Sequence, residues 1–246
     1  MEKYRNLSIA FLAGIVLMIP TAQAHYLWIE APSNKSDDPA KLEVYYGEFE
    51  ESLRERAGGR LDEVSKIDAW VLTPQGKKEI NLEKQDNHFE TVVPKKSSDD
   101  PIIQVHELKR PVQDWQKYDI GIVKPMYYAS AFYFPPADIG SDLPLPEIKT
   151  TMAIYPIRLG SEITVKVFFK DKELSNAKVN VHAPNGWSKE LKTDESGSVR
   201  FRPLWPGQYV IEVIHLEKTP GKFEGVAYEA IRHRATFTWN VDKVES

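Results

Sequence analysis

The sequence holds six histidines and no cysteine. Thiol catalysis, disulfides, cysteine zinc sites and iron–sulfur clusters are therefore excluded, and any metal must be held by nitrogen and oxygen ligands. Among the histidines, His25 has the most informative neighbours. Glu2, Lys3 and Arg5 form a short charged start, Leu7 to Ile19 is apolar apart from Ser8, and Pro20-Thr21-Ala22-Gln23-Ala24 ends in small residues. Residues 1–24 thus read as a secretory signal peptide, the apolar run being shorter than the roughly 20 residues that cross a bilayer. Cleavage after Ala24 would deliver a soluble periplasmic product whose first residue is His25. A free α-amino group titrates near 8, about 2 to 3 units below lysine, so the His25 amine and imidazole together form a chelate for a single ion. Another imidazole nearby would complete a nitrogen set suited to Cu, Ni or Co rather than Mg or Ca.

The remaining histidines sort by strand phase. His233 alternates with Ile231, Ala235, Phe237 and Trp239, and His215 follows Tyr209, Ile211 and Val213, so both are expected on apolar faces, as metal ligands or hydrogen-bonded core residues. His106 ends the run Ile102–His106 and ranks behind them. His182 is expected on a solvated face, and His88, in the turn Gln85-Asp86-Asn87-His88, is the weakest candidate. Glu30 and Glu48 are acidic residues able to act as oxygen ligands, to orient an imidazole, or simply to face solvent.

Other chemistries find little support. With 32 Lys+Arg against 36 Asp+Glu, there is no basic footprint for nucleic acid. No Gly-x-Ser-x-Gly elbow, His-Glu-x-x-His, P-loop or dinucleotide fingerprint is present, so no enzymatic activity is expected. The aromatic residues, among them Trp28, Trp70, Tyr127, Tyr128, Tyr133, Trp205 and Trp239, suit core packing or a platform for glycan or peptide.

The elements that must position these groups are all β. Short alternating or β-branched runs occur at Tyr26–Glu30, Leu42–Tyr46, Ala69–Leu72, Phe89–Val93, Ile102–His106, Tyr127–Tyr133 and Thr151–Tyr155. Glu50 to Ala57 is the single helical expectation, stopped by Gly58-Gly59, and Pro135 to Pro146 reads as a long loop. From Ile157 the alternation sharpens, with turn signals at Pro184-Asn185-Gly186, Glu195-Ser196-Gly197 and Pro206-Gly207. The expected architecture is all-β, with two sandwich-like domains at residues 25–156 and 157–246.

Thr193-Asp194-Glu195-Ser196-Gly197-Ser198-Val199-Arg200-Phe201 followed by Pro206-Gly207-Gln208-Tyr209 resembles the signature of transthyretin-like and carboxypeptidase-regulatory-like sandwiches. Together with Ala24-His25-Tyr26-Leu27-Trp28-Ile29-Glu30, Tyr46-Gly47-Glu48 and the segment from Gly225 to Phe237, the mature chain resembles the DUF4198 family. That resemblance implies a periplasmic component of cobalt or nickel uptake, with a metal ion as cargo and a membrane transporter as partner. A mature N-terminal histidine is also similar to the histidine brace of exported copper proteins. The expected function is transition-metal binding through His25, with His233, His215 and His106 as further ligands, the ion being Ni or Co by resemblance or Cu by ligand chemistry. Two alternatives remain open: a metal-free binding or adhesion module, and a copper oxygenase.

Overall fold

The alternating runs form strands because each has one apolar face to bury, and the computed structural model describes residues 25–30, 40–73, 76–93, 102–132, 150–242 and 244. Residues 1–24, expected as a signal peptide, residues 135–146, expected as a loop, and Tyr133 lie outside them. In chain order the strands are β1 (Tyr26–Glu30), β2 (Ala40–Glu48), β3 (Leu53–Arg54), β4 (Asp68–Thr73), β5 (Gly76–Glu79), β6 (Glu83–Lys84), β7 (Phe89–Val93), β8 (Ile102–Glu107), β9 (Gln113–Asp114) and β10 (Ile122–Phe132). There follow β11 (Met152–Leu159), β12 (Glu162–Phe169), β13 (Lys172–Glu173), β14 (Lys178–His182), β15 (Ser188–Lys192), β16 (Ser198–Phe201), β17 (Gly207–Glu217), β18 (Gly221–Phe223), β19 (Val226–Tyr228) and β20 (Ala230–Val241). The expected all-β class is correct: the described residues contain no α-helix, only two 3-10 turns, at Arg60–Glu63 and Gln116–Tyr118.

Two smaller sheets cover the two faces of a long one. The longest runs β15-β14-β17-β20-β10-β8-β4-β5, with β9 added to β10. Its two faces carry separate cores. On one, Tyr127, Ala129 and Ala131 of β10 join Val105 of β8 and Leu27, Leu42 and Val44 from the sheet β1-β2-β7-β6. On the other, Tyr128 and Phe132 join Ile211, Phe237 and Trp239, packed against Ile154, Val165 and Val199 of the sheet built from β11, β12, β13 and β16. Period-two alternation along β10 thus feeds two cores from one strand.

Strand β10 pairs in parallel with β20, Val123 opposite Ala230 through Ala131 opposite Thr238. The chain on either side of residue 156 therefore shares one sheet. Pro156 itself lies inside β11, an edge strand bonded to β12 alone, where the missing N–H interrupts no ladder.

The helix expected at Glu50–Ala57 does not form. The Phe49 carbonyl accepts a hydrogen bond from the Ser52 amide, Ser52 takes a left-handed φ of 54°, and β3 turns back on β2 with Gly47 opposite Arg54. The hairpin depends on Gly47, whose φ is 154° and whose added Cβ would lie 2.1 Å from the Leu53 carbonyl oxygen. Helix propensity in this segment yields to tertiary pairing.

Candidate functional site around His25

Strand β1 is hydrogen-bonded to β2 on one side only, which leaves carbonyls on its other edge to be satisfied. Side chains of β20 satisfy them. Thr236 Oγ1 donates to the Leu27 carbonyl at 2.7 Å, and Arg234 Nη1 donates to the His25 carbonyl at 3.3 Å. Residues two apart on β20 thus meet residues two apart along β1, and His25 is fixed at the end of the buried strand. Arg234 is itself held by an ion pair with Glu212, both 2–3% exposed as side chains, and its guanidinium lies 4.4 Å from the centroid of the Tyr26 ring.

The His25 side chain is buried and flanked by two carboxylates from the β2–β3 hairpin. Nδ1 lies 3.2 Å from Glu48 Oε1, and Nε2 contacts Glu55 Oε1. The Tyr46 ring centroid is 5.4 Å from that of the imidazole, and Arg60 Nη1 lies 3.3 and 3.2 Å from its two nitrogens. Glu48 ends β2, while the Glu55 amide donates to the Tyr46 carbonyl just after β3, so the hairpin sets both acids. His25 also lines a cavity of about 300 Å³, with Tyr46, Arg60, Arg110, Lys117, Tyr127 and Arg232 among its walls.

The other expected ligands lie elsewhere. His215 and His233 face each other across β17 and β20, ring centroids 6.4 Å apart. His106 joins them through Tyr128, whose ring is 5.0 Å from His106 and 5.9 Å from His233. His233 belongs to the opposite face of β20 from Arg234, which reaches β1, so His25 is not brought together with these three. A carboxylate can only accept, so His233 Nε2–H donates to Glu217 at 3.0 Å, leaving Nδ1 to accept from the Tyr128 hydroxyl at 3.0 Å. Burial lowers the His233 and His215 pKa values, Glu217 opposing the shift in both, and lowers that of His106 to about 3, with Lys77 adding to the effect.

Two histidines depart from the expectation. His182 is 5% exposed rather than solvated. Its Nδ1 meets Ser188 Oγ at 2.8 Å, its Nε2 meets Glu212 at 3.5 Å, and its ring stacks on Tyr26. Tyr26 of β1 stacks on His182 and clusters with Val210 of β17, a long-range fact that local alternation does not carry. His88, set aside as a turn residue, forms with Glu43 and Glu90 a partly exposed group whose ligand atoms lie within 4.8 Å of one another. The cross-strand pairing of Glu43 with Glu90 creates it, and the Lys41 ammonium already bridges the two acids at 3.1 and 2.5 Å.

Glu30 accepts from Arg54 at 2.6 Å and from the Trp28 indole at 3.1 Å, a pairing role. Tyr26, Trp28, Trp70, Tyr127, Tyr128 and Trp239 are buried, which assigns them to packing. The cavity cations Arg60, Arg110, Lys117 and Arg232 had no distinguishing mark in the sequence beyond Arg232 taking the opposite phase to His233.

Residues 136–217 match the family model described as a domain of unknown function, DUF4198. The match ends with β17 and includes His215, while His25, His106 and His233 lie outside it. No curated protein matches the sequence. Among solved structures, a biofilm-associated protein BSP domain aligns over 89% of this chain and 30% of its own, with 12% identity and a TM-score of 0.20. Dimeric latent PorU from Porphyromonas gingivalis aligns over 90% of this chain and 24% of its own, with 13% identity and a TM-score of 0.20. The chain spans less than a third of either protein, and similarity at this level carries no weight for fold or function.

Proposed function

We propose that the exported chain, cleaved after Ala24, binds one transition-metal ion at its N terminus and presents it to an uptake system in the cell envelope. The ion is Ni or Co by the DUF4198 resemblance, or Cu by ligand chemistry. The observation that carries this reading is Glu48 Oε1 at 3.2 Å from His25 Nδ1. Nδ1 is the ring nitrogen that closes a chelate with the α-amine, so a carboxylate stands beside the nitrogen that would hold the ion. Amine, imidazole and carboxylate form a nitrogen and oxygen set suited to a divalent first-row metal. Glu55, on Nε2, orients the ring. No other histidine ring packs against His25 among the described residues, so this reading has one imidazole per ion. The β-sandwich carrying the transthyretin-like motif serves as the scaffold whose strand β20 holds β1 in place.

The test is titration of Ni, Co and Cu into mature protein beginning at His25 and into H25A, E48Q and H88A, with folding checked by circular dichroism. The expected result is one ion per chain, lost in H25A, weakened in E48Q and kept in H88A. Full binding by H25A, or loss of binding in H88A alone, would overturn the assignment.

A further inference from the structure

We infer that the cavity beside His25 is a binding site for a small organic anion bearing carboxylate groups. The inference goes beyond the metal reading and does not depend on it. Its basis is a set of cations whose capacity to bind anions is only partly used. Arg110 is 3% exposed; its Nη2 donates to Glu63, while Nε and Nη1 are buried with no hydrogen-bond partner. Its guanidinium lies 5.3 Å from the Tyr46 ring centroid and 5.7 Å from that of Tyr127. Arg232 and Lys117 make no ion pair among the described residues; each has an aromatic ring beside it, Trp115 at 5.4 Å and Tyr118 at 4.7 Å.

The nearby acids are already engaged. Glu63 is shared by Arg60 and Arg110, Asp114 accepts from the Gln116 amide at 3.0 Å, and Glu48 and Glu55 flank His25. Asp114 is the one carboxylate among the cavity-lining residues. Buried guanidinium N–H groups left without an acceptor are costly, and an anion would offset that cost through charge-assisted hydrogen bonds. Burial, reinforced by neighbouring Arg234, lowers the Arg232 pKa to about 10, so it remains cationic at neutral pH.

Size selects the class of anion. The cavity of about 300 Å³ is at the small end of the range that takes organic ligands. The lining is mostly polar, and the rings of Tyr46, Trp115, Tyr118 and Tyr127 are where a carbon skeleton would pack.

The experiment uses metal-free mature protein, so failure of the metal reading leaves it intact. Citrate and inorganic phosphate are titrated separately by calorimetry and by Trp115-sensitive fluorescence. One citrate per chain is expected, weakened by added salt, weakened about tenfold or more in R232Q, and also weakened in K117Q. Phosphate should bind far more weakly than citrate. Absence of citrate binding by folded wild-type protein, equal affinity in R232Q, or phosphate binding as tight as citrate would overturn the inference.

Discussion

Replacing Glu212 by Gln tests the bolt that fixes His25. Glu212 is 2% exposed, ion-paired to Arg234, and accepts from Asn180 at 3.0 Å and from His182 at 3.5 Å. Burial alone would raise its pKa, but Arg234 and the bonds from His182 and Asn180 outweigh this and bring it from 4.5 to about 2. A carboxyl lowered that far contributes about 3 kcal/mol at neutral pH. Because the folded-state pKa is the depressed one, this stability is present above about pH 4.5 and is lost as the pH falls toward 2. Independently, removing one partner of a buried ion pair costs about 3 to 5 kcal/mol, since Arg234 stays buried and uncompensated. The two routes agree. Urea denaturation at neutral pH should show E212Q less stable by about 3 kcal/mol, and melting should occur roughly 10 °C lower. Between about pH 5 and pH 2 the variant should lose about that much less stability than wild type. Replacing both partners, as E212L/R234M, should recover part of the loss, because no charge is then left unpaired. A neutral-pH difference below about 1 kcal/mol together with an unchanged acid slope would mean that the pair behaves as an exposed one and does not hold β20 to β1.

G47A forces a Cβ against the Leu53 carbonyl and should cost about 2 kcal/mol or more in denaturant unfolding, whereas G58A, with open space around it, should cost about 1 kcal/mol. T236V leaves the Leu27 carbonyl without its 2.7 Å donor and should cost about 1 to 3 kcal/mol, with faster hydrogen exchange along β1. His106, whose pKa burial lowers to about 3, should show no imidazole titration by NMR between about pH 5 and 8; its depressed folded value means stability falls as the pH drops below about 6.5.

Much of the fold is legible because burial imposes local periodicity. Tyr26–Glu30 and Phe89–Val93 coincide with β1 and β7. Strands whose side chains face water carry no such mark: all four residues of β5 are exposed, as are most of β15. The long run of β10 is obscured by Pro125, which falls between the segments paired to β9 and β8. For the site, His25 is conspicuous by its position after a cleavage motif, and Glu48 by its neighbours. Glu55, Arg60, Arg110 and Arg232 are not, because they converge through a tight hairpin, a 3-10 turn and a parallel pairing distant in sequence. His182 shows the same limit: its phase is readable, but what covers that phase is not.

Whether the N-terminal amine holds the ion is decided by comparing metal binding by mature protein beginning at His25 with the same protein carrying one extra N-terminal residue. The extension leaves every side chain in place and converts the chelating amine into an amide nitrogen. The first protein should bind one Ni, Co or Cu ion, with affinity at least about tenfold weaker in the second. Equal affinity in the two would remove the amine from the site and contradict the proposed function.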